Sequence, residues 1–362
     1  MPYRNTASMA KELLYRAAQR LGTANPLEDV SDVLDESLAF PLGEPAGGPR
    51  ALEPSFSETA PENLSFLVTR GGPSTTPSDR IESATQALYQ VAGHRFGPEA
   101  LHWLDSRLEA VKSRGHHRSA SWGASFSSGF DRNGVTEAAM HYELGPMLMD
   151  ALPAPLFRMA RAAMESLPGL RPAVSSVRCG RASGSQQITF SVDRALPLPD
   201  LKPLMDRLGL GARHASLMSA CAFVLGARFT LPPDTAMLTL RPSRTGVELR
   251  LDVDLDALPD PPAQLMALMR LQMTERPRGL QALDRWLMAL TPDGYPGPGT
   301  VSVLSVWVRP DLPARLALYL RPAALTAEPK PAATLKPASG PASSVSSGVA
   351  AEAAWAASAW AP

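Results

Sequence analysis

The chain has 362 residues, of which 44% are hydrophobic, and its 35 Lys and Arg residues balance its 35 Asp and Glu residues. This length allows one large domain or two ordinary ones, and the hydrophobic content is sufficient for a substantial core. The zero formal net charge argues against a general nucleic-acid-binding protein, which would carry an excess of positive charge.

The N-terminal stretch lacks the apolar segment of a signal peptide, and no stretch of the sequence is long and apolar enough for a membrane span. The two cysteines, Cys179 and Cys221, fit neither a disulfide framework nor a metal-ligand spacing. Free, buried thiols in a reducing cytosol are the simpler interpretation. We therefore expect a cytoplasmic protein with no membrane partner and no nucleic-acid partner.

Residues 1–50 are predicted to form an N-terminal helix followed by a linker. The apolar residues of 7–21 recur with helical spacing, which predicts an amphipathic helix that packs on the outside of the domain. The following stretch is acidic and then rich in Pro and Gly. Its acidic residues Glu28, Asp29, Asp32 and Asp35 could form a metal-binding box, but a solvent-exposed helix face is the more common use of such spacing.

Residues 51–70 contain two stretches in which apolar and polar residues alternate. In the first stretch Leu52 and Phe56 alternate with Glu53 and Ser55, and the second stretch repeats the pattern. Alternation with a period of two predicts a β-strand with one apolar face and one polar face. In a sheet covered by helices on one side only, the apolar row packs under the helices, so Glu53 points to the opposite side.

Four further strand pairs with the same alternation follow, at residues 119–144, 174–193, 236–255 and 300–321. Turn signals join the two strands of the first three of these pairs, and the clearest of them is Asn133-Gly134. Helical patterns separate the pairs; the predicted helices span 80–93, 98–113, 200–210, 213–226, 261–274 and 279–290, with further helical segments up to residue 167.

Five pairs of strands separated by helices constitute an internal ββαα repeat. Ten antiparallel strands with helices on one face close most simply into a barrel, because closure removes the exposed strand edges. The predicted fold class is therefore α+β, a ten-stranded antiparallel β-barrel surrounded by a ring of helices, spanning residues 51–322. Residues 323–362 are rich in Ala, Pro and Ser, which predicts a disordered tail.

The polar faces of the ten strands would point into the barrel lumen, and a lumen of this size is expected to bind a ligand. Arginines that converge from several strands suit a phosphate group, which guanidinium groups contact with two hydrogen bonds at once. The alternative is that each Arg pairs with an Asp or Glu on a neighbouring strand. The predicted inward residues are Glu53, Glu137, His141, Glu143, Arg178, Arg241, Arg250, Asp252, Asp254, Trp307, Arg309, Arg315, Tyr319 and Arg321.

Three short stretches carry a resemblance to a known family. They are Leu52-Glu53-Pro54-Ser55 in the first strand, residues 130–144 with the pair Met140-His141, and Arg315 to Tyr319 in the last strand. Together with the ββαα layout over about residues 50–321, they resemble the ABBA prenyltransferases, and locally the branch that prenylates peptides in cyanobactin biosynthesis.

The resemblance implies that the protein transfers an isoprenyl group, dimethylallyl or geranyl, from its diphosphate to a side chain of a peptide. Glu53 would then be the general base, and Trp307 and Tyr319 would shield the allylic cation. A magnesium ion bound through the diphosphate would share the charge without a protein metal site. The residues expected to bind the diphosphate are His141, Arg178, Arg241, Arg250 and Arg321.

One position departs from the family pattern. Ala139 stands where the family has a lysine that contacts the diphosphate, and the tyrosines typical of these barrels are sparse. We expect other arginines to take over the diphosphate. A prenyltransferase of a small aromatic acceptor, an indole or a phenol, and a barrel that binds a ligand without catalysis remain alternatives.

Overall fold

The computed structural model describes residues 5–40, 51–69, 75–112 and 120–326. The last ten residues of the predicted linker, and all but the first four residues of the predicted tail, lie outside these ranges. Within them, both cysteines are free and buried, as predicted. No helix in the described ranges combines the length and the hydropathy that a membrane crossing requires.

The strands form a closed antiparallel barrel, as the alternation predicts. The order around the barrel is β1-β12-β11-β10-β9-β6-β5-β4-β3-β2, and β7 pairs with β8 in a separate two-stranded sheet that is too short to show a sequence pattern. The strands are β1 (Leu52–Ser57), β2 (Leu64–Val68), β3 (Ala124–Asp131), β4 (Gly134–Glu143), β5 (Leu170–Gly180), β6 (Gly184–Val192), β7 (Leu196–Pro197), β8 (Thr230–Leu231), β9 (Ala236–Ser243), β10 (Gly246–Asp254), β11 (Gly299–Arg309) and β12 (Leu312–Pro322).

The helices pack on the outside of the barrel, and those predicted from the sequence are present with ends shifted by a few residues. The described helices are α1 (Thr6–Leu21), α2 (Leu27–Ser37), α3 (Pro77–Arg95), α4 (Pro98–Leu108), α5 (Pro146–Met149), α6 (Ala154–Ser166), α7 (Lys202–Arg207), α8 (His214–Val224), α9 (Leu265–Gln272), α10 (Pro277–Leu290) and α11 (Ala323–Thr326). Helix α3 begins with a capping box, in which Thr76 and Asp79 bond each other's backbone N–H groups.

The hydrophobic core lies between the barrel and the helices. The apolar row of the first strand pair, which includes Leu52, Phe56, Leu64 and Phe66, is no more than 2% exposed. The rings of Phe66 and Phe130 stack with their centroids 5.9 Å apart. The apolar faces of the strands are thus covered by helices, and the polar faces are left to the lumen.

All five turns within the strand pairs lie at one end of the barrel, because each pair is a hairpin and the pairs follow one another in the same sense. We call this end the hairpin end, and the opposite end, where the helical connections join the strands, the helix end. Gly134 and Gly246, with φ of 106° and 127°, adopt turn conformations that other residues rarely reach.

The acidic stretch at 28–35 does not form a solvent-exposed face throughout, contrary to the prediction. Asp29 is 7% exposed because α2 packs against α3, and its carboxylate accepts hydrogen bonds from Arg95 on α3. Asp35 forms an ion pair with Lys11 on α1. These carboxylates join the outer helices to each other.

Candidate active site

The polar faces of the strands form a continuous row of side chains around the lumen. All of the predicted site residues belong to this row by the alternation of the strands. The pairs that lie directly opposite each other on neighbouring strands include Ser55 with Tyr319, Arg315 with Trp307, Trp307 with Arg250, Glu248 with Arg241, and Arg178 with Ala139.

The lumen wall has two unlike parts. On β1, β2 and β3 most inward side chains are short, whereas β4, β5, β9 and β10 carry long charged ones. The short inward residues are Ser55, Ser57, Ser65, Ser125, Ser127 and Gly129. We call the first part the short wall, and the inward residues of β4, β5, β9 and β10 the charged wall.

Glu53 lies on the short wall near the helix end and is 5% exposed. Its Oε1 accepts a hydrogen bond from the hydroxyl of Ser302 at 2.5 Å. Ser302 is the extra residue of a bulge in β11, where the pairing with β12 shifts between Val301 and Val303. Bulges of this kind re-aim a side chain next to a site, and here the bulge brings a hydroxyl from two strands away onto the predicted base.

The lumenal arginines of the charged wall each bind a carboxylate. Arg178 and Arg241 bind one on a neighbouring strand, which is the alternative to phosphate binding given above, and Arg250 binds one on its own strand. The pairs are Arg178 with Glu137, Arg241 with Glu248 at 2.7 Å, and Arg250 with Asp252 at 2.9 Å. Asp252 is itself 5% exposed and also accepts a hydrogen bond from Ser305. The six groups balance in charge, so the charged wall has less net positive potential than its arginines alone suggest.

The ion pairs use only part of the hydrogen-bonding capacity of these arginines. Arg178 and Arg250 each donate one N–H to a carboxylate, whereas a guanidinium carries five. Among the described residues the buried Nε of Arg178 has no acceptor. Burial acts to lower the pKa of Arg250, but Asp252, Tyr319 and Glu248 together outweigh it and raise the pKa, so the side chain stays a cation. Both side chains retain donors that can bind an anion in the lumen.

His141 lies between two serines on neighbouring strands. Its Nε2 is 2.8 Å from the Ser127 hydroxyl, and its Nδ1 is 2.8 Å from the Ser176 hydroxyl. Burial, together with the charges of Arg178 and Arg250, lowers the pKa of His141 to about 3. The imidazole is therefore neutral, and any contact that it makes with a diphosphate is a hydrogen bond rather than an ion pair.

The two predicted aromatic residues lie in different surroundings. Trp307 is 5% exposed, and the guanidinium of Arg309 lies 5.7 Å from its ring centroid. Burial raises the pKa of the Tyr319 hydroxyl, Arg250 and Arg178 act against that rise, and Asp252 and Glu53 add to it. Tyr319 is thus within electrostatic reach of Glu53 and of the two arginines.

Arg321 is not brought together with the other predicted arginines. It lies opposite Thr300 at the helix end of β12, its side chain is 37% exposed, and its guanidinium binds Asp256. Arg178 and Arg250, by contrast, both act on His141 and Tyr319. All four residues face the lumen by the pairing of their strands, and we call Arg178, Arg250, His141 and Tyr319 the guanidinium cluster.

Sequence reasoning missed the serines that hold this site. Ser302, Ser305 and Ser176 are each no more than 1% exposed, and each contacts a predicted site residue. The alternation could have placed Ser176 and Ser305 on the inner face, because they lie an even number of residues from Arg178 and Trp307. Ser302 gave no such signal, since the bulge interrupts the alternation.

No group of three or more His, Cys, Asp or Glu side chains in the described part of the chain is arranged to hold a metal ion. Glu137, Glu248 and Asp252 are the carboxylates nearest the lumenal arginines, and each already binds one of them. These residues do not fit a protein metal site of the kind that carboxylates build around magnesium.

Neither the protein-family models nor the curated proteins contain a match to this sequence. Solved structures do resemble it. The 6-dimethylallyltryptophan synthase from Micromonospora olivasterospora, in complex with DMASPP and Trp, is 16% identical with a TM-score of 0.70 over 90% of this chain and 100% of that chain. The 5-dimethylallyltryptophan synthase from Streptomyces coelicolor has 16% identity and a TM-score of 0.66 over the same shares.

AnaPT from Neosartorya fischeri is more distant, with 12% identity and a TM-score of 0.56 over 90% of this chain and 94% of that chain. At these identities the likeness concerns the fold. The chain has the barrel fold of these prenyltransferases, the ABBA fold that the sequence resemblance implied.

Proposed function

We propose that this protein is a prenyltransferase that moves an isoprenyl group from its diphosphate to an acceptor bound in the barrel lumen. The observation that carries the proposal is that a buried carboxylate, Glu53, faces the same lumen as two arginines, Arg178 and Arg250, that each donate one N–H to a carboxylate. A base and an anion-binding group that face one lumen are the two parts that alkyl transfer from a diphosphate requires.

Arg178 and Arg250 are the residues best suited to bind the diphosphate. Each donates one N–H to its carboxylate. The remaining N–H groups can therefore bind phosphate oxygens while the ion pair stays intact. Negative charge grows on the diphosphate as the carbon–oxygen bond lengthens, and fixed cations beside it lower the barrier. They would replace the lysine whose position is occupied here by Ala139.

Glu53 would accept the proton that the acceptor loses. The acceptor would lie beside the short wall, and Tyr319 would lie between acceptor and diphosphate, where an aromatic face stabilises an allylic cation without reacting with it. Trp307 has the same predicted role, although Arg309 already lies over its ring. Arg241 is tied to Glu248 and would act on the diphosphate from further away.

Two acceptor classes deserve a test. A small aromatic acceptor of the indole type is supported by the solved structures with the same fold, whose names refer to tryptophan. A peptide acceptor is supported by the resemblance of Leu52-Glu53-Pro54-Ser55 and Met140-His141 to the cyanobactin branch. Both acceptors would offer an electron-rich group to the same base and the same cation.

Magnesium stays a prediction. The residues of the lumen do not form a metal site, so any magnesium ion would be held by phosphate oxygens of the donor. None of the roles given above to Glu53, Arg178 or Arg250 passes through the ion. Adding EDTA to the transfer assay measures whether it is needed.

The experiment is to incubate the purified protein with dimethylallyl or geranyl diphosphate and a panel of acceptors, with and without magnesium, and to analyse the products by mass. The panel contains tryptophan, indole, simple phenols, and cyclic peptides with Tyr, Trp, His or Arg. A mass gain of one prenyl unit establishes the reaction and identifies the acceptor class. Diphosphate binding without any mass gain would instead support a ligand-binding barrel that does not catalyse.

A further inference from the structure

The bulge in β11 gives the hydroxyl of Ser302 two possible acceptors. Glu53 Oε1 lies 2.5 Å from it, and the backbone carbonyl oxygen of Tyr319 lies 3.2 Å from it. A hydroxyl carries a single proton, so it can donate fully to only one of them. The shorter distance assigns the proton to the carboxylate of Glu53, as expected when that carboxylate is ionised.

A general base must be stable in two protonation states. When Glu53 takes up a proton, its carboxylic acid can donate to the oxygen of Ser302, and the Ser302 hydroxyl can rotate to donate to the Tyr319 carbonyl. The proton from the acceptor then stays on Glu53, and the proton of Ser302 stays on Ser302. Both states keep their hydrogen bonds without any movement of the backbone.

We propose that Ser302 is a positioning residue for the general base, which fixes Glu53 in the ionised state and follows its protonation by rotating toward the Tyr319 carbonyl. This inference rests on the proposed function and adds a residue to it. Ser302 is 1% exposed, so water does not replace its hydroxyl easily.

The same strand supplies a matched control. Ser305 is as buried as Ser302, but it donates to Asp252, the carboxylate that also holds Arg250. Loss of the Ser305 hydroxyl should therefore disturb the binding of the diphosphate, and loss of the Ser302 hydroxyl should disturb the base. The same change from Ser to Ala should therefore alter different kinetic parameters at the two positions.

The test compares pH–rate profiles of the wild type, Ser302→Ala, Ser302→Thr and Ser305→Ala, with dimethylallyl diphosphate and the acceptor found by the panel. For Ser302→Ala we expect kcat to fall about tenfold, since a hydrogen bond to a charged group is lost. The acidic limb of the profile should move up by about one pH unit because the ionised base is less stabilised. The KM for the donor should not change.

Ser302→Thr keeps the hydroxyl and should restore both quantities. Ser305→Ala should raise the KM for the donor and leave the acidic limb in place. An acidic limb that is the same in Ser302→Ala as in the wild type would overturn the proposal. Thermal unfolding checks each variant, and Ser302→Cys, which keeps the volume but donates weakly, replaces Ser302→Ala if that variant does not fold.

A second measurement separates this proposal from the proposed function. With ¹³C-labelled Glu, the carboxyl signal that disappears in Glu53→Gln is followed by NMR during a pH titration. If the wild type transfers no prenyl group, the proposed function fails, and a titration midpoint of Glu53 that moves to higher pH in Ser302→Ala still supports the role of Ser302. If the wild type is active and the midpoint does not move, the role of Ser302 is wrong.

Discussion

Two carboxylates in the lumen, Glu53 and Asp252, share one kind of hydrogen-bond partner and differ in another. Each is 5% exposed, and each accepts a hydrogen bond from a serine of β11, Ser302 or Ser305. Asp252 also accepts a hydrogen bond from Arg250, two residues along its own strand. The partners of Glu53 include a hydroxyl that has a second acceptor within reach.

The difference separates a fixed charge from a charge that can change. An ion pair such as Asp252 with Arg250 is stable only while both groups are ionised, because removal of one partner leaves the other buried and uncompensated. A hydroxyl partner can donate to a carboxylate or accept from a carboxylic acid. Asp252 is therefore suited to holding Arg250 in place, and the Ser302 hydroxyl can keep its contact with Glu53 in either protonation state of that carboxyl group.

The largest effect should come from removal of the base. Glu53→Gln keeps an oxygen that can accept from Ser302 but cannot take up the proton, so we expect prenyl transfer to fall by about 10²–10⁴-fold. The affinity for inorganic diphosphate, measured by calorimetry, should stay within about twofold. Glu36→Gln, which alters an exposed glutamate of α2, is the control and should keep the transfer. Survival of transfer in Glu53→Gln would remove Glu53 from the reaction.

The second effect concerns the guanidinium cluster. Arg250→Gln should weaken the binding of inorganic diphosphate by about 10–100-fold, the value of a hydrogen bond between charged groups. Arg321→Gln is the matched control, because Arg321 lies at the rim with Asp256 and should change the affinity by less than about threefold. Equal losses in the two variants would show that the diphosphate binds at the helix end rather than at the guanidinium cluster.

Asp252→Asn, added to Arg250→Gln, tests whether the ion pair is structural. Arg250→Gln leaves Asp252 buried without its cation, which should lower the stability toward urea. The double variant has no uncompensated charge, so it should recover stability and remain as weak in diphosphate binding as Arg250→Gln. If the double variant also recovers binding, Arg250 does not contact the diphosphate.

The sequence predicts the barrel well because its signal is a repeated local pattern. Alternation over residues such as Leu52 to Ser57 fixes which side chains face the lumen, and five copies of the pattern determine the closed sheet. The same alternation placed Glu53, Arg178 and Arg250 on the inner face. These predictions depend only on the period of the strands.

The partners of the site residues could not be predicted in the same way. The contact between Ser302 and Glu53 joins two strands separated by β12 and depends on a bulge, which has no period. Arg250 pairs with Asp252, and Arg321 pairs with Asp256. Both pairings depend on side-chain rotamers, which the alternation of the strands does not determine. The sequence therefore identifies the inner face, and the structure is needed to divide it into a base and an anion site.

The last effect is a pH dependence of stability to which His141 contributes. Its pKa in the folded protein, about 3, lies below the ordinary value of 6.5 that applies after unfolding. The unfolded chain therefore binds a proton that the folded protein does not, and stability is full above about pH 6.5 and falls as the pH decreases toward 3. At pH 5 the loss is about 2 kcal/mol.

His141→Gln can keep hydrogen bonds to Ser127 and Ser176 and has no proton to gain, so its free energy of unfolding should fall less between pH 7 and pH 5 than that of the wild type. Urea unfolding at the two pH values measures this difference, and the exposed His102→Gln is the control. Inorganic diphosphate should reduce the wild-type loss, because an anion beside Arg178 and Arg250 offsets the charges that lower the pKa of His141. If the loss of stability is the same with and without diphosphate, the anion binds away from the guanidinium cluster. The position proposed for the prenyl donor relative to Glu53 would then be wrong.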